Sequence, residues 1–261
     1  MIFFACMMSL SMASLNSGSN GNCYYIGNHN DAVFIDAGLT FRETVKRMER
    51  LGLSFDLIKA IFISHEHTDH ISGAAVISKR FRIPVYISEH AYKNSKLHIS
   101  SDLLVYLKPE DTIQVGNLSV KAFSKMHDAA EPFSFTVSGE GKTVGVFTDI
   151  GSITEEVIQN FSICHAAFLE ANYDEEMLIG GRYPWFLKNR IRGDRGHLSN
   201  MQALDLFTKY RSPRLSHLLL SHLSRDNNSP DLVLDMFRKH SGQIHISIAS
   251  RYRESPLYFL S

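Results

Sequence analysis

The sequence predicts a mixed α/β sandwich. Three observations carry that reading: short apolar runs alternate with capped helical segments, an early pair of runs is joined as a hairpin, and 261 residues at 44% hydrophobic content can bury one sizeable core. One domain over 1–261 is the simplest count. The hairpin argues against a purely parallel sheet.

The elements follow in order. Cys23-Tyr24-Tyr25-Ile26 and Ala32-Val33-Phe34-Ile35 flank the polar turn Asn28-His29-Asn30-Asp31 and form the hairpin. Thr40-Phe41-Arg42-Glu43 has capping-box spacing and opens a helix to about 51. Residues 57–64 are apolar and β-branched enough for a buried strand. A helix runs from near His70 to Phe81, stopped ahead of Pro84. Residues 85–87, 118–123, 133–137 and 143–147 are further strands. Ser152-Ile153-Thr154-Glu155 and Ser199-Asn200-Met201-Gln202 repeat the capping-box spacing, so helices start after Asp149 and after His197. Ser229 as N-cap and Pro230 at the first helical position begin a helix to about His240, and 243–248 alternates as a last strand.

Composition narrows the function. Lys plus Arg and Asp plus Glu each number 27, so there is no global attraction for a polyanion. A local one is offered by Lys188, Arg190, Arg192 and Arg195, immediately before His197, and by Arg225 behind His222. Guanidinium forks suit phosphate oxygens. The same run also reads as a solvated face; its adjacency to His197 favours phosphate. The three cysteines, Cys6, Cys23 and Cys164, are too few and scattered for a disulfide framework, which fits a reducing cytoplasm. The apolar N-terminal stretch has no Lys or Arg ahead of it, and no apolar run approaches membrane-spanning length, so neither a signal peptide nor a membrane is expected.

The chemistry concentrates in His65-Glu66-His67-Thr68-Asp69-His70, at the end of the buried strand. Such groups are costly to desolvate without partners, and a metal supplies one. Imidazole suits zinc, iron and manganese, and a neighbouring carboxylate favours a hard divalent ion. His65 and His67, two apart, point the same way in an extended segment; Asp69 and His70 sit where the chain turns into a helix and can face a second metal.

This His-x-His-x-Asp-His pattern resembles the signature of the metallo-β-lactamase superfamily. The resemblance implies a four-layer αβ/βα sandwich of two mixed sheets flanked by helices, with a metal site between the sheet edges. It extends over nearly the whole chain. Asp36 resembles the acidic residue that holds the ligand loop, His127 the third motif, Asp149 the bridging aspartate and His222 the last ligand. The implied centre has two divalent ions, zinc or manganese. His65, His67 and His127 hold one, Asp69, His70 and His222 the other, with Asp149 between them. A hydroxide shared by ions roughly 3.5–4 Å apart is the implied nucleophile. Asp69 is also a candidate proton acceptor.

Four stretches (Ser17 to Cys23, Leu169 to Asp174, Gly196 to Asn200 and Leu220 to Asn228) resemble the YycJ/WalJ (VicX) branch of bacterial metallo-hydrolases. That branch implies a DNA exonuclease, cutting from the 5′ end. His197 resembles a general acid of related phosphodiesterases, or else it stabilises its loop. Glu170 and Asn172 are expected to orient ligand histidines from behind. Ser17, Ser19, Asn20 and Asn22 form a candidate phosphate cradle of backbone N–H groups, with Arg192, Arg195 and Arg225 as further phosphate contacts. Asn20-Gly21 reads equally as a tight turn. Residues 1–7 run ahead of the usual start of this branch and read as a non-native or disordered extension. Two alternatives stay open: the same enzyme acting on a small phosphodiester, cyclic nucleotide, thioester or lactam, and a non-enzymatic metal-stabilised module.

Overall fold

The computed structural model describes residues 9–260; the expected extension at 1–7, with Cys6, lies outside them. Fourteen strands form two seven-stranded sheets. The first contains β1 (Leu10–Asn16), β2 (Cys23–Gly27), β3 (Ala32–Ile35), β4 (Ile58–Phe62), β5 (Val85–Ser88), β6 (Leu104–Leu107) and β14 (Tyr258–Leu260), in the order β14-β1-β2-β3-β4-β5-β6. The second contains β7 (Thr112–Val115), β8 (Leu118–Ser124), β9 (Phe133–Gly139), β10 (Lys142–Phe147), β11 (Ala166–Glu170), β12 (His217–Ser221) and β13 (His245–Ile248), in the order β13-β12-β11-β10-β9-β8-β7.

Each sheet is mixed. β3 to β6 run parallel, as do β10 to β13, while the remaining pairings are antiparallel. Side-chain alternation explains the layering. Tyr24, Ile26, Val33 and Ile35 point to a core shared with Phe135, Val146, Ala166 and Phe168 of the other sheet. Their neighbours Cys23, Tyr25, Ala32 and Phe34 point outward, into a core with helices α1 (Phe41–Arg50) and α3 (Ala74–Phe81). On the far side, Ala167, Leu169, Leu218 and Leu220 pack against α5 (Glu155–Ser162), α8 (Asn200–Tyr210) and α9 (Pro230–Arg238). The result is the four-layer sandwich, with both faces of each sheet covered. That is why the central strands are apolar throughout rather than alternating with polar residues.

Several local expectations change. The helix expected from His70 to Phe81 is broken into α2 (Thr68–Ile71) and α3, with Gly73 between them. A Cβ on Gly73 would meet the Leu39 carbonyl at 2.2 Å, so the 36–39 loop passes too close for a continuous helix carrying a side chain there. Thr154, not Ser152, caps α5, accepting from Val157 N; the Ser152 hydroxyl donates instead to the Asp194 carbonyl at 2.7 Å. Ser229 precedes Pro230 at the head of α9 but makes no side-chain cap bond. At α1 only half of the box forms, since Glu43 pairs forward with Arg47. The box at Ser199 and Gln202 is complete.

The arginine-rich stretch before His197 is largely α7 (Trp185–Arg192), preceded by α6 (Glu175–Gly180). Short helix α4 (Glu89–Asn94) completes the set. Among the described residues no helix is long and apolar enough to cross a membrane.

Candidate metal centre

Six strands deliver their C-terminal ends to one edge of the sandwich. β3 ends at Asp36, β4 leads to His65 and His67, β8 to His127, β10 to Asp149, β11 to Glu170 and β12 to His222. Three of these residues turn off their strands with positive φ: 60° at Asp36, 55° at Asp149 and 55° at His222. A non-glycine residue in this left-handed region carries backbone strain, of order 1–3 kcal/mol, and such strain gathers at functional sites. The turn aims each side chain inward across the sheet edge.

The ligand loop is clamped from outside. Asp36 accepts from Ser64 N at 2.8 Å and from the Ser64 hydroxyl at 2.9 Å, and lies 2.7 Å from His70 Nδ1. Asn22 N donates to the Asp69 carbonyl at 2.7 Å, and Ala37 N to that of His70 at 2.8 Å. This close packing needs Gly38, where a Cβ would fall 1.6 Å from the Asp69 carbonyl oxygen.

Four sets of side chains bring possible ligand atoms within 4.8 Å of one another: His65, His67 and His127; Asp69, His70 and His222; His65, His70 and Asp149; and Asp149, Glu170, His197 and His222. His70 Nε2 lies 3.4 Å from Asp69 and 3.2 Å from Asp149; His222 Nε2 lies 3.5 Å from Asp149 and 3.8 Å from Asp69. His127 Nε2 is 3.9 Å from Asp149 and 3.3 Å from Asp128.

The outer nitrogens are fixed by partners. His127 Nδ1 donates to the Gly196 carbonyl at 3.0 Å, and His222 Nδ1 meets Glu170 at 3.1 Å. Asn172 Nδ2 donates to the His222 carbonyl at 2.8 Å. With Nδ1 engaged, Nε2 turns inward, as at metal-bound histidines generally. The inner atoms lack partners: His127 Nε2, His222 Nε2 and Asp149 Oδ2 are buried without a hydrogen bond. Each such orphan costs about 1–3 kcal/mol, and a divalent cation among them would satisfy all three. Nitrogen and carboxylate donors without sulfur suit a borderline or hard ion.

Electrostatics points the same way. Burial opposes charge on His70 and His222, yet the surrounding carboxylates prevail. Asp36, Asp149 and Asp69 hold His70 well above the usual imidazole range, and Asp149, Asp69 and Glu170 push His222 up to about 10. Despite its burial, Asp149 stays well below the carboxylate range because His222 and His70 face it. Burial, aided by Lys125, pushes His127 down to about 4. A ring of carboxylates that retains protons on two histidines is a site that favours positive charge.

His197 stands beside this ring. Its Nδ1 lies 2.7 Å from Glu170 Oε1 and 3.6 Å from Asp149, and its ring stacks on that of His222 at 5.3 Å. It lines an open cavity of about 220 Å³, with Ser19, Asp128, Asn172, Tyr183, Leu187, Ile191 and His222.

The expected phosphate contacts separate. Ser19 lines the cavity, but Ser17 and Asn22 are buried: the Ser17 hydroxyl accepts from His222 N at 2.8 Å, and Asn22 contacts Asp69 and His70. Asn20 donates to the Arg251 carbonyl at 2.8 Å. Four backbone N–H groups of the candidate cradle are engaged within the fold, Ser17 N on Ser250 O, Gly18 N on Asn22 Oδ1, Gly21 N on Gly18 O and Asn22 N on Asp69 O. Of the basic run, Lys188 is buried and capped by two carbonyls, Arg190 pairs with Asp128, Arg192 with Glu175, and Arg195 donates to the His127 carbonyl. Arg225 pairs with its neighbour Asp226. The sequence reading passed over Asp128, Tyr183, Leu187 and Ile191. Adjacency to His127 marks the first; the others come from α7 and the segment before it, which carry no motif.

A β-lactamase superfamily domain model matches residues 31–222, well over half of the chain. The chain belongs to the metallo-β-lactamase superfamily. Within it, the chain is 33% identical over 230 residues to the exodeoxyribonuclease YycJ of Bacillus anthracis, covering 87% of each chain. It is 30% identical over 224 residues to the exodeoxyribonuclease WalJ of Streptococcus pneumoniae serotype 2, covering 84% of this chain and 83% of that one. Among solved structures, the metallo-β-lactamase fold protein YhfI of Bacillus subtilis superposes with a TM-score of 0.75 at 14% identity, over 97% of this chain and 99% of that one. That likeness shows the superfamily fold. The buried histidine and aspartate clusters described above are typical of a dinuclear metal site in this superfamily.

Proposed function

We propose that the protein is a dinuclear-metal phosphodiesterase that removes nucleotides from DNA, working from the 5′ end. The observation that carries it is the overlap of donor sets: two triads, His65-His67-His127 and Asp69-His70-His222, lie on either side of Asp149, beside an open cavity. The DNA substrate rests on the relatives named exodeoxyribonucleases, and the 5′ polarity on the resemblance of the four sequence stretches alone. The first triad would hold one ion, the second the other, and Asp149 would touch both.

Two divalent ions supply an acidified water and positive charge opposite the phosphoryl oxygens. The protein's own residues do the rest. Glu170 engages His197 Nδ1, leaving Nε2 as the nitrogen available to protonate the leaving oxygen. Asp69, held by Asn22 at 3.2 Å and only partly exposed, would accept a proton from the attacking water. Tyr183, Leu187 and Ile191 give the cavity an apolar wall against which a terminal sugar or base would rest.

A second reading, a small-molecule phosphodiesterase, is favoured by the internal pairing of the α7 cations and the zero net charge. The deciding experiment loads the protein with Mn²⁺ or Zn²⁺ and offers end-labelled DNA and RNA beside bis(p-nitrophenyl) phosphate. Mononucleotides released from the 5′ end of DNA support the nuclease. Turnover of the small ester with both polymers intact sinks it in favour of the second reading.

A further inference from the structure

A second cavity of about 110 Å³ opens beside the first, and Ser224 lines both. Its wall includes Arg225, Arg251, Tyr252 and Pro230, the first residue of α9. Among the described residues Arg251 enters no ion pair, and its Nη1 is buried without a hydrogen-bond partner. That is costly for a guanidinium, which can neither lose its charge nor accept a hydrogen bond. Arg225 is tied to Asp226 by an exposed contact at 3.2 Å, which is weak enough to exchange for a better anion. The N-terminal end of α9 adds partial positive charge, with Ser229 making no cap bond across it. Tyr252 stands 74% exposed at the rim.

We propose that this cavity is a phosphate subsite for the DNA strand beyond the scissile bond. It rests on the nuclease reading. Arg251, with Arg225, binds a phosphodiester group, and a neighbouring base stacks on Tyr252. The volume is well under the roughly 300–1,000 Å³ of ordinary ligand pockets, so it suits one phosphate group rather than a whole nucleotide. Cations needed for a polymer thus lie across Ser224 from the reaction centre rather than on α7.

The test compares wild type, Arg251→Met and Tyr252→Ala on a single-stranded DNA decamer and on bis(p-nitrophenyl) phosphate, with anisotropy of a fluorescein-labelled decamer at several salt concentrations. For Arg251→Met, the ratio of kcat/KM on the decamer to that on the small ester should fall about tenfold or more, as for loss of a charge-assisted hydrogen bond. The salt slope of decamer binding should shrink by about one. Tyr252→Ala should weaken decamer binding by about fivefold or more through lost stacking. DNA cleavage by wild type with both quantities unmoved in Arg251→Met overturns the subsite and leaves the nuclease standing. No DNA bound or cleaved while the small ester is turned over removes the nuclease reading and the subsite together. If Arg251→Met melts early, Tyr252→Ala decides alone: weaker decamer binding supports the track, and unchanged binding overturns it.

Discussion

The two sheets contribute to the metal centre in different ways. The first gives its donors as one run, His65 to His70, clamped by Asp36 through Ser64 and through His70. The second gives single residues, His127, Asp149 and His222, each from a different strand end, two of them on strained backbone. A contiguous loop can be held by local hydrogen bonds and a close glycine contact. Scattered donors depend on strand register, positive φ and one shared brace: Glu170 Oε1 contacts both His197 and His222. The first half is therefore robust by redundancy, whereas the second is concentrated in a few atoms.

That contrast can be broken most severely at the residue between the halves. Asp149→Ala should take turnover to background and drop bound metal from about two ions per chain toward one or none, read by elemental analysis. Two ions retained would mean that the halves bind independently. Next in size, His197→Ala should lower turnover by about a hundred- to ten-thousand-fold while metal content holds. Metal lost along with activity would move His197 among the ligands, where its proximity to Asp149 and His222 also allows it.

The braces sharpen the comparison further. Glu170→Gln should weaken metal binding about 10- to 100-fold, and Asp36→Asn less, because Ser64 can still support the first loop. Equal losses in a competitive chelator titration would refute the asymmetry. The smallest effect is a proton count. His222, pushed up to about 10, carries a proton at pH 7 that a metal ion must displace, and the carboxylates around His70 hold it above the imidazole range as well. Calorimetry in buffers of differing ionisation enthalpy should show about one to two protons released per chain, with affinity rising with pH below about 10. Zero release would show that these histidines are already neutral.

The difference between the halves also decides what was legible. His65 to His70 announces itself because several polar groups follow one buried strand, and the hairpin and the cap at Ser199 rest on equally local chemistry. His127, Asp149 and His222 needed a resemblance to be found, since each is one polar residue among others. The capping box at Ser152 misled because a nearby Thr154 competes, whereas Ser229 and Pro230 do mark the start of α9 although no side-chain cap bond forms there. The break at Gly73 depends on a loop more than 30 positions away.

The sequence by itself determined the alternation of strands and helices and the main ligand run, because burial periodicity and short-range spacing are properties of neighbouring residues. The tertiary structure alone decided which charges are free. Ser17, Asn22 and Arg190 are consumed by partners distant in sequence, while Arg251, inconspicuous in the chain, is left with a buried nitrogen unsatisfied. A side chain's availability depends on what packs around it, and that is settled only when remote segments meet.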